Sequence, residues 1–459
     1  MTLNQVANRK LTAEIAWASG SFATGTLFNG MALFSLYFMT SYLGIAPAIA
    51  GLVIFSTKLF DAVLDPLMGA ISDRTRHRWG PRRIYLLIGG LMLGLSFAAF
   101  FNQPSAAGVG AIVSGLLILT VYSAAYTIFS VPYLAMPPEM VSSYDGRTKL
   151  MSLRVFFLLG GVMAGSAGGP LIVAYAGGGI GGYKLMGMLF GGLATAICLF
   201  SFFGTGLLPV TPIEAPREKL AFKALILSPV HDVAAVFGNA PFRLLTLVKL
   251  CQLAVLSTVL ACTPYFFTLV LAKNTAEISK YLFTFSISGI VALPLCRKII
   301  AMFGKKEAYI FLLVLYALGL SSWFLWVPTE SMIFFYARAI GIGVVSTATL
   351  LCALSMLPDT MEYDRLISGR SRDGVISGVF TLVEKVAGAC GPLVVGVLLQ
   401  SFGMNPSRAP GIVQPESAIL AIRMGTSLAP ALLCLIALPF LLSYSLDEAR
   451  LERARLGHF

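Results

Sequence analysis

The sequence predicts an all-α membrane protein built from twelve transmembrane helices. Hydrophobic residues make up 57% of the chain and only 12% of residues are charged, whereas a soluble globular domain carries about 25%. The mean hydropathy is +0.84. The apolar residues also fall into runs close to the roughly 20 residues that a helix needs to cross a bilayer. This composition, sustained over 459 residues, excludes a soluble protein and predicts one that is embedded in the lipid bilayer.

Polar breaks divide the chain into the predicted spans. The first residues, MTLNQVANRKLTAE, lack the short apolar region and the cleavage site of a signal peptide, so we expect the first span to stay in the mature protein. In chain order the twelve spans are residues 13–42, 46–72, 84–103, 108–138, 150–176, 183–209, 241–271, 276–296, 307–327, 330–357, 375–403 and 417–446.

Basic residues gather on one side of these spans. The breaks after spans 2, 4, 8 and 10 are rich in Lys and Arg, as are the N-terminus, the segment after span 6 and the C-terminal tail. The positive-inside rule therefore predicts that both termini are cytoplasmic. This topology accounts for the net charge of +12, so we predict no nucleic-acid partner. The chain has no GxxxxGKS phosphate loop, so we predict no ATP use either.

The spacing of the spans predicts two halves. Residues 210–240 form the longest cytoplasmic stretch and separate a six-helix half, 1–209, from a second one, 241–446, with a tail at 447–459. The basic segment GAISDRTRHRWGPRR follows span 2, and CRKIIAMFGKKEAY follows span 8 at the equivalent place. Two six-helix halves with matching loops indicate the major facilitator architecture.

Two carboxylates lie inside span 2. Asp61 and Asp65, in KLFDAVLDPLMG, are four residues apart and share one helix face. A charge at the centre of a span costs roughly 2.5–3.5 kcal/mol on insertion scales, so such a pair indicates function. Two carboxylates can bind a small cation or share a proton. The alternative is a structural ion pair with Lys58 or with Lys385 of span 11, the latter linking the two halves.

Other ionisable residues fall within the spans. Lys249, Arg338 and Arg423 are interpreted as snorkelling or structurally paired side chains. Glu384, next to Lys385, is expected either to neutralise this lysine or to act as a second proton carrier. The cysteines and histidines form no metal-ligand pattern. No metal site is predicted other than one for Na+ at the paired carboxylates of span 2.

Five blocks of sequence resemble the glycoside–pentoside–hexuronide:cation symporters. They are DAVLDPLMGAISDRTRHRWGPRR, YTIFSVPYLAMPPEM, DGRTKLMSLRVFF, LPDTMEYDRLISGRSRDG and FTLVEKVAGACG, which keep their order over nearly the whole chain. The resemblance implies a twelve-helix major facilitator fold, a small-molecule solute and co-transport of Na+, Li+ or H+ without a cofactor. It also implies a transporter of the bacterial inner membrane rather than an enzyme.

The resemblance assigns roles to residues by position. The implied cation ligands are Asp61, Asp65 and Thr127. The implied solute-binding residues are Ser21, Tyr126, Ser130, Arg154, Thr381 and Lys385. The implied gating and charge-network residues are Lys58, Asp73, Arg74, Asp359, Glu362, Tyr363, Arg370, Arg372 and Glu384.

The chain departs from sugar-binding members of the family at several positions. Ser21 and Ser130 stand where acids hold sugar hydroxyls, and Leu134 and Leu350 stand where tryptophans are found. Leu64 replaces an asparagine that is common in sodium-using relatives, which favours a proton as the coupling ion. The cavity expected here is less polar and flanked by basic groups.

Three functions stay open on these grounds. The first is a cation-coupled symporter of a sugar, glycoside or uronate that works by alternating access. The second is a cation-coupled transporter of a lysolipid or of another amphipathic or anionic solute. The third is a passive facilitator, for which transport would not need Asp61 and Asp65. A scaffold or sensor is a weaker alternative, because the aspartate pair is intact.

Overall fold

The computed structural model describes residues 3–104, 108–141, 143–207, 236–326, 330–369, 372–406 and 413–456. Every regular element in these ranges is helical. Most of the linker predicted at 210–240 lies outside the described residues. The described part forms two compact units, the first containing the helices up to Thr205 and the second containing most residues from Ala240 onward.

The first unit contains six membrane spans. The fifth is interrupted by a π-helical turn, Ala164–Gly168, which joins α6 to α7. The helices of this unit are α1 (Leu3–Ser41), α2 (Pro47–Arg74), α3 (Arg83–Phe101), α4 (Val109–Ala135), the short α5 (Pro137–Met140), α6 (Tyr144–Met163), α7 (Gly169–Tyr175) and α8 (Gly179–Thr205).

The second unit begins with α9 and ends with a short helix after the last span. A π-helical turn, Phe266–Val270, extends α9, and the last span is broken at Ser427 between α14 and α15. The helices are α9 (Ala240–Tyr265), α10 (Thr275–Phe303), α11 (Lys305–Ser321), α12 (Met332–Ser368), α13 (Asp373–Ser401), α14 (Glu416–Thr426), α15 (Leu428–Leu442) and α16 (Glu448–Arg455).

The predicted all-α membrane fold is confirmed. Among the described residues, 11 helical segments are long and apolar enough to cross a membrane. The remaining predicted span, 307–327, corresponds to α11, which has 17 residues and lies at the short end of the spanning range of about 17–25. Together with these segments, α11 completes the twelve spans that the sequence predicts.

The tenth predicted span, which corresponds to α12, continues as a helix past its predicted boundary. The hydropathy pattern places the end of this span near residue 357, whereas α12 runs to Ser368 and ends at Gly369, whose φ of 63° is left-handed. Hydropathy marks where a helix leaves the bilayer, and the helix itself ends where a glycine caps it. The extra turns carry several of the predicted gating residues beyond the apolar part of the helix.

Glycines bring pairs of helices into backbone contact in each unit. A Cβ atom at Gly161 of α6 would overlap the carbonyl oxygen of Phe22 in α1. A Cβ atom at Gly391 of α13 would overlap the backbone of Ser257 in α9. Small residues permit such close crossings, which is how membrane helices gain packing energy without a hydrophobic driving force.

Candidate functional site

The paired carboxylates of α2 meet a hydroxyl of α4. Thr127 Oγ1 lies 2.9 Å from Asp65 Oδ1 and 3.4 Å from Asp61 Oδ1. Asp61 and Thr127 are each only 1% exposed, and Asp65 is half-buried. The helical spacing of the aspartates therefore places both on the face of α2 that packs against α4. The three residues predicted as cation ligands form one cluster.

Lys58 completes this cluster from the turn of α2 that precedes Asp61. Its Nζ atom lies 3.4 Å from Asp61 Oδ2 and 5.4 Å from the centre of the Phe28 ring of α1. The Ser123 hydroxyl of α4 donates to the Thr57 carbonyl oxygen at 3.1 Å and fixes the two helices together one turn away. The sequence analysis named Lys58 and Lys385 as possible counter-ions, and the structure places Lys58 beside Asp61.

The cluster brings carboxylate and hydroxyl oxygens of two helices together. Such oxygens are the ligands that small hard cations take in proteins. One alkali-metal ion held by these oxygens, or a proton shared by the carboxylates, would fit this arrangement.

The predicted solute residue Ser21 lies in an aromatic contact between α1 and α4. Its hydroxyl is 2.8 Å from the Tyr133 hydroxyl. The Tyr133 ring stacks on Trp17, with ring centres 4.7 Å apart, and Trp17 Nε1 donates to the Tyr133 carbonyl oxygen at 3.1 Å. Sequence reasoning missed both aromatic residues, although Trp17 lies one helical turn before Ser21. Ser21 itself is buried.

The other predicted solute residues of the first unit are half-buried. The Tyr126 ring lies 6.0 Å from the ring of Phe28, which also contacts Lys58. Ser130 lies on α4 one turn beyond the cation cluster, and Arg154 lies on α6. The Arg154 Nε atom is buried and has no hydrogen-bond partner in the described part of the chain. The roles of these residues stay predictions.

The second unit contains an ion pair within its spans. Lys249 Nζ of α9 lies 2.6 Å from Glu384 Oε1 of α13. The structural pairing expected for Lys249 is thus present. Its partner is the acid that the sequence had assigned to Lys385 or to proton transfer. Thr381, which is exposed, and Lys385, which is half-buried, lie one turn apart on α13.

Two further intramembrane cations have the structural contacts that the sequence predicted. Arg338 forms an ion pair with Glu330 at 2.6 Å, and its guanidinium lies 5.3 Å from the ring centre of Trp323. The Arg423 guanidinium donates to the Trp326 carbonyl oxygen at 3.5 Å. These contacts stabilise helix ends and leave both residues outside the candidate site.

Arg82 contacts two acids at the end of the first unit where α2 terminates. It forms ion pairs with Asp73 at 2.7 Å and with Glu139 at 2.9 Å, and it also donates to the Ala135 carbonyl oxygen. Burial raises the pKa of Glu139 above its ordinary value, although Arg82 opposes the shift. Asp73 was predicted from the sequence, whereas Arg82 and Glu139 were not. The other predicted residue here, Arg74, is exposed at the end of α2.

The predicted gating residues at the end of α12 have partners within the second unit. Asp359, Glu362 and Tyr363 contact basic residues and Arg372 contacts an acid, and none of these four partners was predicted as a site residue. Arg370 lies outside the described residues. The contacts are Asp359–Lys305 at 2.6 Å, Glu362–Arg455 at 2.7 Å, Tyr363–Arg450 at 3.3 Å and Arg372–Asp364 at 3.2 Å.

A cluster of carboxylates and a hydroxyl among helices long enough to span a membrane is typical of a secondary transporter. The model of the family described as "MFS/sugar transport protein" matches residues 16–448. The chain belongs to this family, within the glycoside–pentoside–hexuronide:cation symporters. It is therefore a multi-pass membrane transporter and not an enzyme.

Named relatives and solved structures agree with this family. The chain is 26% identical to the putative glycoside/cation symporter YagG of Escherichia coli, over 96% of this chain and 93% of the relative. It is 23% identical to the glucuronide carrier protein homolog of the same organism, over 95% of this chain and 93% of the relative. A solved bacterial homologue of the human lysosomal transporter Spinster has the same fold. Its TM-score is 0.70 and its identity 13%, over 100% of this chain and 99% of that one.

Proposed function

We propose that the protein is a cation-coupled symporter of a sugar, glycoside or uronate that works by alternating access. Asp61, Asp65 and Thr127 bind the co-transported cation in this proposal. The observation that carries it is the cluster that the two aspartates of α2 form with the Thr127 hydroxyl of α4, in which Asp61 and Thr127 are buried. Binding of one monovalent cation there adds a positive charge to the carrier, so that transport responds to the membrane potential. The relatives named as symporters support the same reading.

The membrane potential makes this coupling useful. One positive charge entering across 100 mV yields about 2.3 kcal/mol. This free energy sustains a solute gradient of roughly 50-fold, since 1.4 kcal/mol corresponds to a factor of ten. In our proposal the protein is placed in the bacterial inner membrane with both termini in the cytoplasm, in accordance with its basic loops. The membrane potential would then drive the cation, and the solute transported with it, into the cell.

Cation binding can be measured on the purified protein without knowing the solute. A ligand that binds only the folded state stabilises it, by about 2.7 kcal/mol at 100 times its dissociation constant. We expect NaCl, LiCl or a lower pH to raise the melting temperature, relative to choline chloride at equal ionic strength. The rise should disappear in Asp65→Asn. It should remain in Asp73→Asn, the matched control at the cytoplasmic end of the same helix.

An Asp65→Asn protein that keeps the full cation response would overturn the assigned site. A panel of glycosides, uronates and lysolipids, each tested with and without the effective cation, then identifies the solute class. Sugars or uronates that stabilise only together with the cation support symport. Stabilisation by lysolipids alone would move the protein to the amphipathic class of solutes.

A further inference from the structure

In the ion pair between α9 and α13, the lysine is buried and the glutamate is exposed. The Lys249 side chain is 0% exposed, whereas Glu384 is 51% exposed. The Lys249 ammonium also lies 3.2 Å from the centre of the Phe380 ring, one turn before Glu384 on α13. The ring attracts the cation but does not neutralise it. Among the described residues, the ammonium pairs with one carboxylate, and this carboxylate is half exposed.

The two helices do not need this pair to stay together. The Ser257 hydroxyl of α9 donates to the Gly388 carbonyl oxygen of α13 at 2.6 Å, and Gly391 allows the backbones to touch at the same level. A buried ion pair is in any case weak evidence for stability, because desolvation offsets the attraction between its charges. The need to hold α9 against α13 therefore does not explain the Lys249–Glu384 ion pair.

The asymmetry of burial determines what the pair can do. A buried ammonium requires an anion beside it, because an unpaired charge in the membrane interior is strongly unfavourable. Glu384 is half exposed, so its carboxylate is not enclosed on the side away from Lys249. Another anion of similar size that reaches this open side can therefore replace Glu384 beside Lys249, and the ammonium keeps a counter-ion throughout. Lys249 cannot make the reverse exchange, because it is fully buried.

We propose that Lys249 is an anion-binding group for the transported solute and that Glu384 is the counter-ion that occupies it in the unloaded state. The ligand is a polar solute that carries a carboxylate, sulfonate or phosphate group. This inference rests on the proposed transport function and narrows it to anionic solutes. It adds a binding residue in the second unit, separate from the cation cluster of α2.

The test uses the full-length purified protein, with D-glucuronate as the probe and D-glucose as its uncharged analogue. Glu384→Gln leaves Lys249 unpaired, so we expect a lower melting temperature that glucuronate restores and glucose does not. Because the competing carboxylate is gone, glucuronate should bind this variant about 10-fold or more tightly than it binds the wild type. Lys249→Met should lose glucuronate binding by a similar factor.

The double variant Lys249→Met/Glu384→Gln separates folding from binding. It contains no unpaired charge, so it should regain stability without glucuronate and still fail to bind it. A Glu384→Gln protein that glucuronate neither stabilises nor binds more tightly would show that the pair is structural only and would overturn the proposal. The cation response of Asp65→Asn is measured separately. If Asp65→Asn showed that the cation site is wrong, the glucuronate measurements on the Lys249 and Glu384 variants could still be interpreted.

Discussion

The Thr127 hydroxyl donates a 2.9 Å hydrogen bond to Asp65 Oδ1 and joins α4 to the acidic face of α2. The same hydroxyl oxygen is 3.4 Å from Asp61 Oδ1. A cation bound by the aspartates would thus be shared by two helices of the first unit. Its arrival and departure would change the force between these helices, which is the property that a coupled transporter needs.

If Asp61 and Asp65 bind an alkali-metal ion, the Thr127 hydroxyl is positioned to be a further oxygen ligand. Thr127→Val keeps the shape of the side chain but removes the hydroxyl, so the bound ion loses this ligand. We expect the Na+ or Li+ concentration for half-maximal stabilisation to rise by roughly tenfold or more, which corresponds to a loss of about 1.4 kcal/mol or more. Thr127→Ser keeps the hydroxyl and should stay near the wild-type value. Equal cation affinities for the valine and serine variants would contradict the role.

Lys58 contributes a positive charge beside Asp61. Lys58→Met removes this charge, so we expect tighter cation binding because the carboxylates attract the cation more strongly. A cation that is held more tightly is released more slowly, so solute turnover should fall although the cation affinity has risen. Lys58→Arg preserves the charge and serves as the control. Binding is measured by cation titration of the purified protein and turnover in proteoliposomes. A fall in cation affinity in the methionine variant would contradict this role.

Gly391 is needed where α13 crosses α9. Gly391→Ala would place a methyl group in the backbone of Ser257. We expect a loss of about 1–3 kcal/mol from this overpacking, seen as a lower melting temperature. Gly388→Ala is the matched control on the same helix, because its Cβ atom meets open space. A Gly391→Ala protein as stable as Gly388→Ala would rule out the close crossing.

Glu139 gives stability a pH dependence. Because burial raises its pKa, the folded state binds the proton more tightly than the unfolded state does. Its contribution to stability is therefore largest at acid pH and declines as pH rises from the ordinary glutamate pKa through the raised value. Glu139→Gln cannot titrate, so its melting temperature relative to the wild type should increase over this window. A constant difference between the two proteins from acid to neutral pH would contradict the shift.

Helical spacing predicted that Asp61 and Asp65 share a face of α2, and the family resemblance added Thr127, but neither could predict the ion pair of the second unit. Asp61 and Asp65 share a helix face because they are four residues apart, and Lys58 follows from the same periodicity. Lys249 and Glu384 are 135 residues apart, so their contact depends on the rotation and register of two helices. Neighbouring helical residues diverge by about 100°. Adjacency in sequence is therefore a poor guide to the partner of Glu384.

The fold was predictable for a related reason. Hydropathy identifies where the chain crosses the bilayer, and basic loops identify its cytoplasmic side. Neither signal shows how far a helix continues into water, which is why the extension of α12 to Ser368 was missed. The partners of Asp73 and Glu362 were missed as well. Nothing in the sequence distinguishes Arg82 and Arg455 from the other basic residues of the loops and the tail, and only the folded structure places them beside these acids.

Comparing uphill accumulation with solute exchange in proteoliposomes tests the central claim most directly. The solute is the one that stabilises the purified protein, and the variant is Asp61→Asn. If the aspartates couple the cation to the solute, the variant should lose accumulation driven by a cation gradient. It should still exchange labelled for unlabelled solute across the membrane, since exchange needs no net work. Gradient-driven accumulation at the wild-type level in Asp61→Asn would contradict the assignment of the buried cluster as the coupling site.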